Sequence, residues 1–237
     1  NSIGFIIAGV LSLCILFNYF KINFKISNFK EIKYHLKEGW YIFISTIAIS
    51  LYTISNTFIL GLFTNNVIVG YYSAAEKIIK AILGILGPIS QSVYPYMSKL
   101  INESKERGIS FIKKLTLIIG SSSFILSLSM FIFAELIIDV ILGNKYEESI
   151  IVLKILSFLP FIIGLSNIFG IQTMLTLGYK KTFSNILIGA SVINIILAFI
   201  LVPLYRHVGI SFSVLVSEIF VTLTMFLYLE LKGVRIV

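Results

Sequence analysis

The chain has 237 residues, 57% of them hydrophobic and only 13% charged, with a mean hydropathy of +0.99. So little polar surface excludes a soluble globule of this length. The formal net charge of +8 would suggest nucleic acid in a soluble protein, but Lys and Arg fall in short gaps between apolar runs, so no nucleic-acid site is read.

Apolar runs near 3–20, 40–63, 74–100, 115–142, 150–177, 184–204 and 209–231 are each long enough to span a bilayer. A hydrocarbon core about 30 Å thick needs roughly 20 helical residues to cross it. The expected fold class is therefore all-α, a polytopic membrane protein with seven transmembrane helices. The chain opens at Asn1 almost directly in a span, without the basic region or small-residue cleavage site of a signal peptide, and is read as a piece of a longer protein. Cys14 is the lone cysteine and lies within the first run. It can build neither a disulfide framework nor a cysteine metal site, and is read as a small buried apolar residue.

Residues 21–39 form a basic linker that sets the first helix, 1–20, apart from the remainder, 40–237. Within the linker Asn28 and Glu31 have the spacing of a capping box, Phe29, Ile32 and Leu36 recur on one helical face, and Gly39 can end the helix. This predicts a short helix lying on the cytoplasmic leaflet. The later gaps are too short to hold a domain, so 40–237 is expected to form one six-helix bundle.

In lipid, a polar stripe along a spanning helix must face other helices or water. In the second span Ser45, Tyr52 and Asn56 share a face. The third carries the strongest stripe: Ser73, Lys77, Lys80, Gly84, Gly87, Gln91, Tyr94 and Ser98, spaced by three or four. A cation at the centre of a span costs about 2.5 to 3.5 kcal/mol on insertion scales, so Lys77 and Lys80 call for a partner, a cavity or an anionic ligand. Glu76 can pair with Lys80 at i, i+4. Pro88 and Pro160 are expected to bend or unwind their helices. Glu135 and Asp139, near the end of the fourth run, read as a solvated helix end. Asn167 and Gln172 in the fifth run and Asn194 in the sixth can bond between helices. Glu218 is the deepest acid, mid-way through the last run, and shares a face with Ser211 and Thr222. An intramembrane carboxylate is by default a carrier of a proton or cation, or else a carboxyl bonded to a neighbouring helix.

The basic residues decide the expected orientation. Fourteen of the 19 lie in alternate gaps on the side of the C-terminus, against five on the other, so the C-terminus is expected in the cytoplasm and residue 1 outside. Enzyme chemistry finds no support. His35 and His207 fall in gaps on opposite sides, and no phosphate-binding glycine loop or nucleophile elbow occurs. No catalytic residue, metal site or cofactor is expected.

Five stretches, taken in order, carry a family resemblance: Gly70-Tyr71-Tyr72-Ser73-Ala74-Ala75-Glu76-Lys77-Ile78, Tyr94-Pro95-Tyr96-Met97-Ser98-Lys99-Leu100, Gly143-Asn144-Lys145-Tyr146, Gly170-Ile171-Gln172 through Leu177-Gly178-Tyr179-Lys180-Lys181, and Gly209-Ile210-Ser211 ahead of Glu218. Their order over residues 39–231 resembles the Wzx-type oligosaccharide flippases of the multidrug/oligosaccharidyl-lipid/polysaccharide exporter superfamily. The resemblance implies two six-helix lobes around a central cavity. This chain would then supply the last helix of the first lobe, with five helices missing upstream, and the whole second lobe. It also implies a bacterial cytoplasmic-membrane protein that moves an undecaprenyl-pyrophosphate-linked oligosaccharide outward for surface-polysaccharide (O-antigen) synthesis. Such a protein works amid membrane lipids, with a coupling ion (H+ or Na+) and with a polysaccharide polymerase and chain-length regulator as partners. On that footing Lys77 and Lys80 stand near the pyrophosphate, Asn56, Gln91, Asn167 and Gln172 bond sugars, and Glu218 with Glu76 serves ion coupling by alternating access. Two rivals are a multidrug/cation antiporter of the same superfamily and a membrane-embedded polymerase or glycosyltransferase. Lysines in a cavity argue against the first, and the short outer gaps against the second.

Overall fold

The computed structural model describes residues 2–20 and 28–236 and divides the chain into two compact units, residues 1–40 and 41–237. Residues 21–27 of the expected linker lie outside the described residues. The elements are α1 (Ser2–Phe20), α2 (Phe29–Phe63), α3 (Asn66–Glu103), α4 (Lys105–Ile132), α5 (Ala134–Ile141), a single 3-10 turn (Asn144–Tyr146), α6 (Glu148–Leu156), α7 (Leu159–Asn167), a π-helical segment (Ile168–Leu175) and α8 (Lys180–Leu231). The protein is an all-α polytopic membrane protein. Among the described residues, five helices are long and apolar enough to cross a bilayer: Gly39–Phe63, Asn66–Glu103, Lys105–Ile132, Glu148–Leu175 and Lys180–Leu231.

In the first unit, the carboxylate of Glu31 accepts from the Asn28 N–H at 3.4 Å, so one arm of the capping box is present. Two expectations fail here. Gly39 does not end the helix: α2 runs through it from Phe29 to Phe63, because glycine weakens a helix without breaking it and no proline follows. Cys14 is exposed within its unit, as are its apolar neighbours on α1, whose surface has no polar side to turn inward.

In the second unit, helix breaks follow local chemistry. Pro160 has no N–H to give the carbonyl four residues back, and the ladder parts between α6 and α7 at Ser157 and Phe158. The N–H of Phe161, left over in the first turn of α7, donates to Ser127 Oγ of α4 at 3.1 Å. Gly178, at φ 82, ends the π-helical segment in a conformation that glycine adopts freely. At about 1.5 Å per residue, the 52 residues of α8 would reach far beyond a membrane. They divide at Arg206 (φ 50, ψ −126), just after Pro203, into two antiparallel arms. The return is tight: a Cβ on Gly209 would lie 2.3 Å from the carbonyl oxygen of Leu201. His207, expected in an open gap, is instead buried at this bend, its Nε2 3.4 Å from the Glu148 carboxylate.

Two apolar clusters hold the unit together. One gathers Leu60, Tyr72, Ile79, Leu153, Val202 and Ile210; the other Met97, Ile112, Met174, Leu187, Met225 and Leu229. The segment after α8 joins the second cluster. Gly233 turns the chain at φ 72, Val234 and Ile236 are buried, and Glu230 accepts from the Ile236 N–H at 3.3 Å. Burial is uneven: 56% of the apolar window in Glu148–Leu175 is buried but only 6% of that in Asn66–Glu103, so the first is the central helix and α3 a wall.

Gly209→Ala is expected to lose about 1 to 3 kcal/mol, since backbone rather than a flexible side chain blocks the new methyl. Gly39→Ala, whose Cβ would meet nothing within 4 Å, is expected to hold or gain stability. Paired unfolding curves in detergent check both.

Candidate functional site

Between α2 and the rest of the second unit lies a cleft of about 1040 Å³ including its open mouth. Its walls are largely apolar, from Ile49, Leu83, Leu159, Phe183 and Val221 among others. Polar groups come from every side: Tyr52 and Asn56 of α2, Tyr72, Glu76 and Lys80 of α3, Ser166 and Asn167 of α7, and Glu218 of the second arm of α8. Apolar walls with a few convergent polar groups describe a ligand site.

The helical period positions them. Tyr52 and Asn56 are one turn apart on α2, and Tyr72, Glu76 and Lys80 are successive turns of one α3 face. Lys80 Nζ lies 2.8 Å from Glu76 Oε2, the i, i+4 pair expected from the spacing, and the Tyr72 hydroxyl donates to Glu76 Oε1 at 3.4 Å. Across the cleft the buried Tyr52 hydroxyl donates to Glu218 Oε1 at 2.7 Å. Thr222 Oγ1 donates both to the Glu218 carbonyl at 2.9 Å and to the Ile162 carbonyl at 3.1 Å, tying α8 to α7 beside the carboxyl. Asn56 Oδ1 is buried and accepts no hydrogen bond.

The cleft brings together Asn56, Glu76, Lys80, Asn167 and Glu218 of the expected site residues. It does not include Lys77, Gln91 or Gln172. Lys77 and Gln91 are exposed on α3. Gln172 is buried behind the wall, donating from Nε2 to Ser90 O and Oγ, each at 2.9 Å, while Ser90 Oγ donates to Asn167 Oδ1 at 2.7 Å. This network fastens α3 to α7 and the π-helical segment. Tyr52 and Tyr72 complete the site. The face shared by Ser45, Tyr52 and Asn56 pointed to the first, whereas Tyr72 lies just ahead of the third run and nothing there set it apart from a packing aromatic.

The charge of the cleft differs from a cationic one. Its charged lining is one lysine and two carboxyls, and the lysine is already paired with Glu76. Among the described residues, Glu218 has a hydroxyl partner and no ion pair.

Fold and site together define a helical membrane protein with a polar-lined cleft inside its bundle. The comparisons with known proteins give the relationship. The family described as "Polysaccharide biosynthesis protein" matches residues 1–101. The chain is 37% identical over 229 residues, 95% of its length and 54% of the relative's, to a protein of Escherichia coli (strain K12) named "Putative O-antigen transporter". It is 29% identical over 231 residues, 95% of its length and 56% of the relative's, to a Shigella dysenteriae protein of the same name. The resemblance read from the residues is thus borne out by similarity along nearly the whole chain. The chain spans about half the length of these relatives. No solved structure matches it.

The Ser90 network makes a measurable distinction. Ser90→Ala is expected to destabilise the protein by roughly 0.6 to 1.7 kcal/mol, the range for hydrogen bonds between membrane helices. Gln91→Ala, on the exposed face, is expected to leave stability unchanged. Unfolding in bicelles measures both.

Proposed function

We propose that the chain is part of a flippase that carries an undecaprenyl-pyrophosphate-linked oligosaccharide across the bacterial cytoplasmic membrane, by transport and not by covalent chemistry. The C-terminus is cytoplasmic on this reading, consistent with fourteen of 19 basic residues lying on its side. The observation that carries the proposal is the cleft: polar side chains from four helical segments converge on a largely apolar space of about 1040 Å³, its open mouth included. The similarity to proteins named as O-antigen transporters supports the cargo. Hydrogen bonds from Asn56 and Asn167 suit sugar hydroxyls, and Gln91 on the exposed face of α3 extends the polar path. Gln172 acts through Ser90 and Asn167 by fixing the wall.

The two lysines divide the work. Lys77, exposed and outside the cleft lining, is the group for the pyrophosphate. Lys80 is held by Glu76 and meets an anion only by sharing or leaving that pair. Glu218 exchanges a proton or cation as the lobes alternate, with Glu76 as the second acid of the cleft, the lipid tail remaining in the bilayer. The reading also implies a polysaccharide polymerase and chain-length regulator downstream.

The charge of the cleft favours one second reading, a cation antiporter. A carboxyl that has a hydroxyl partner and no ion pair among the described residues, in a cleft lined by Tyr52, Tyr72 and Phe183, suits a cation better than a phosphate.

Transport in proteoliposomes of the full-length protein distinguishes them. For the flippase, Lys77→Ala is expected to slow translocation of lipid-linked sugar roughly tenfold, a loss of about 1.4 kcal/mol of charge-assisted contact. Translocation at the wild-type rate would remove Lys77 from the mechanism. Glu218→Gln is expected to abolish dependence on the ion or pH gradient in either reading. Export of organic cations with no movement of lipid-linked sugar would select the antiporter.

A further inference from the structure

The side-chain hydrogen bonds of α2 are mostly internal to it. The hydroxyls of Ser45, Thr46, Thr53 and Thr64 all donate to carbonyls of α2 itself, so they satisfy the helix without fixing its position. Near the α2–α3 turn, Ile59 and Leu60 are buried in an apolar cluster and anchor that end. Between the anchor and the start of the unit, Ser45, Ala48, Tyr52 and Asn56 are buried on the face α2 turns to its unit, and the cleft opens beside Ile49, Tyr52, Thr53 and Asn56. The Tyr52 hydroxyl crosses it to Glu218, on a chain segment 166 residues away.

We propose that Tyr52 is a positioning residue, a latch that holds α2 against the second arm of α8 through Glu218, and that α2 is the movable wall of the cleft. Released from Glu218, α2 pivots about Ile59 and Leu60. These lie seven and eight residues from Tyr52, a lever of roughly 10 Å at 1.5 Å per residue. The pivot opens the cleft sideways to the lipid, the direction from which a cargo with its tail in the bilayer enters.

The acceptor makes the latch responsive. A hydroxyl bonds a carboxylate about twice as strongly as a neutral oxygen, so a proton or cation taken up by Glu218 weakens the hold on Tyr52. Glu76 and Lys80, the other charged groups lining the cleft, are occupied with each other, which leaves Glu218 as the carboxyl that the phenol meets. The link between loading and release rests on the coupling role proposed for Glu218; the latch itself does not.

The test is the separation of α2 from α8 in the full-length protein in lipid nanodiscs, with Cys14 and any further cysteine changed to serine. Spin labels go on Ile47→Cys and Leu227→Cys, both exposed positions. Wild type is expected to give a dominant short distance. Tyr52→Phe, which keeps the ring and loses only the hydroxyl, is expected to raise the ratio of long to short distances roughly tenfold, equivalent to about 1.4 kcal/mol. Glu218→Leu is expected to do the same, and the double variant to add nothing further, since both remove one bond. Glu218→Gln retains an uncharged acceptor and is expected to fall between. A wild-type distribution in Tyr52→Phe, or additive shifts in the double variant, would overturn the latch. A Glu218→Gln distribution equal to wild type would overturn its control by loading. Because distances are read without cargo, failure of the flippase reading in the transport assay leaves this result standing.

Discussion

A hydroxyl or amide facing hydrocarbon has no water to bond, and the second unit is shaped by how most such groups find a protein partner. Most serines and threonines solve it locally: Thr116, Ser129, Ser213 and Ser217 each bond the carbonyl four residues back and leave the helix otherwise undisturbed. A few groups reach outward, and those set the architecture. Ser127 meets the orphan N–H of Phe161, Ser149 the carbonyl of Tyr71, Thr222 that of Ile162, and Gln172 both oxygens of Ser90. Apolar packing fills the bundle, but between helices surrounded by lipid it has no water to escape, so these cross-bonds confer much of the alignment. Some buried atoms stay without a hydrogen bond, among them Gln172 Oε1 and both side-chain atoms of Asn194, which does not make the interhelical bond expected of it; Asn56 Oδ1 is the one of these that lies at the cleft.

The same constraint explains what was legible in the sequence. Run length announced an all-α membrane fold, of which five helices among the described residues are long and apolar enough to span, and Pro160 announced the break in the central helix; Pro88, expected to act in the same way, lies within the uninterrupted α3. The i, i+4 geometry of Glu76 and Lys80 was legible from helical spacing. Gly39 was not, because whether glycine ends a helix depends on competition with the apolar run beyond it. Nor was the fate of the α3 stripe. Spacing puts Lys77, Lys80 and Gln91 on one side, but α3 meets the cleft with the face of Tyr72, Glu76, Ile79, Lys80 and Leu83, which includes Lys80 and leaves Lys77 and Gln91 outside it. Glu218 stood out as the deepest acid, yet its partner lies on a helix 166 residues earlier, a pairing that no local pattern contains.

That displacement changes the electrostatics. A stripe carrying two lysines suggests an anion site; a cleft with one lysine, already neutralised, and two carboxyls does not. On the proposed flippase reading, the anionic and the uncharged parts of the cargo would have separate places, the first along the exposed side of α3 and the second within the bundle.

The π-helical stretch Ile168–Leu175 has a consequence for how this segment is compared across relatives. A turn wider than the usual 3.6 residues accommodates surplus chain without lengthening the rod, and each residue removed rotates the downstream chain by about 100°. Shortening this stretch by a single position between Asn167 and Gln172 would turn the Gln172 amide away from Ser90 while Asn167 kept its place, so the two could no longer meet the same serine. A gap there would therefore separate proteins whose central helix is fastened to α3 in different ways, even where the flanking sequences agree.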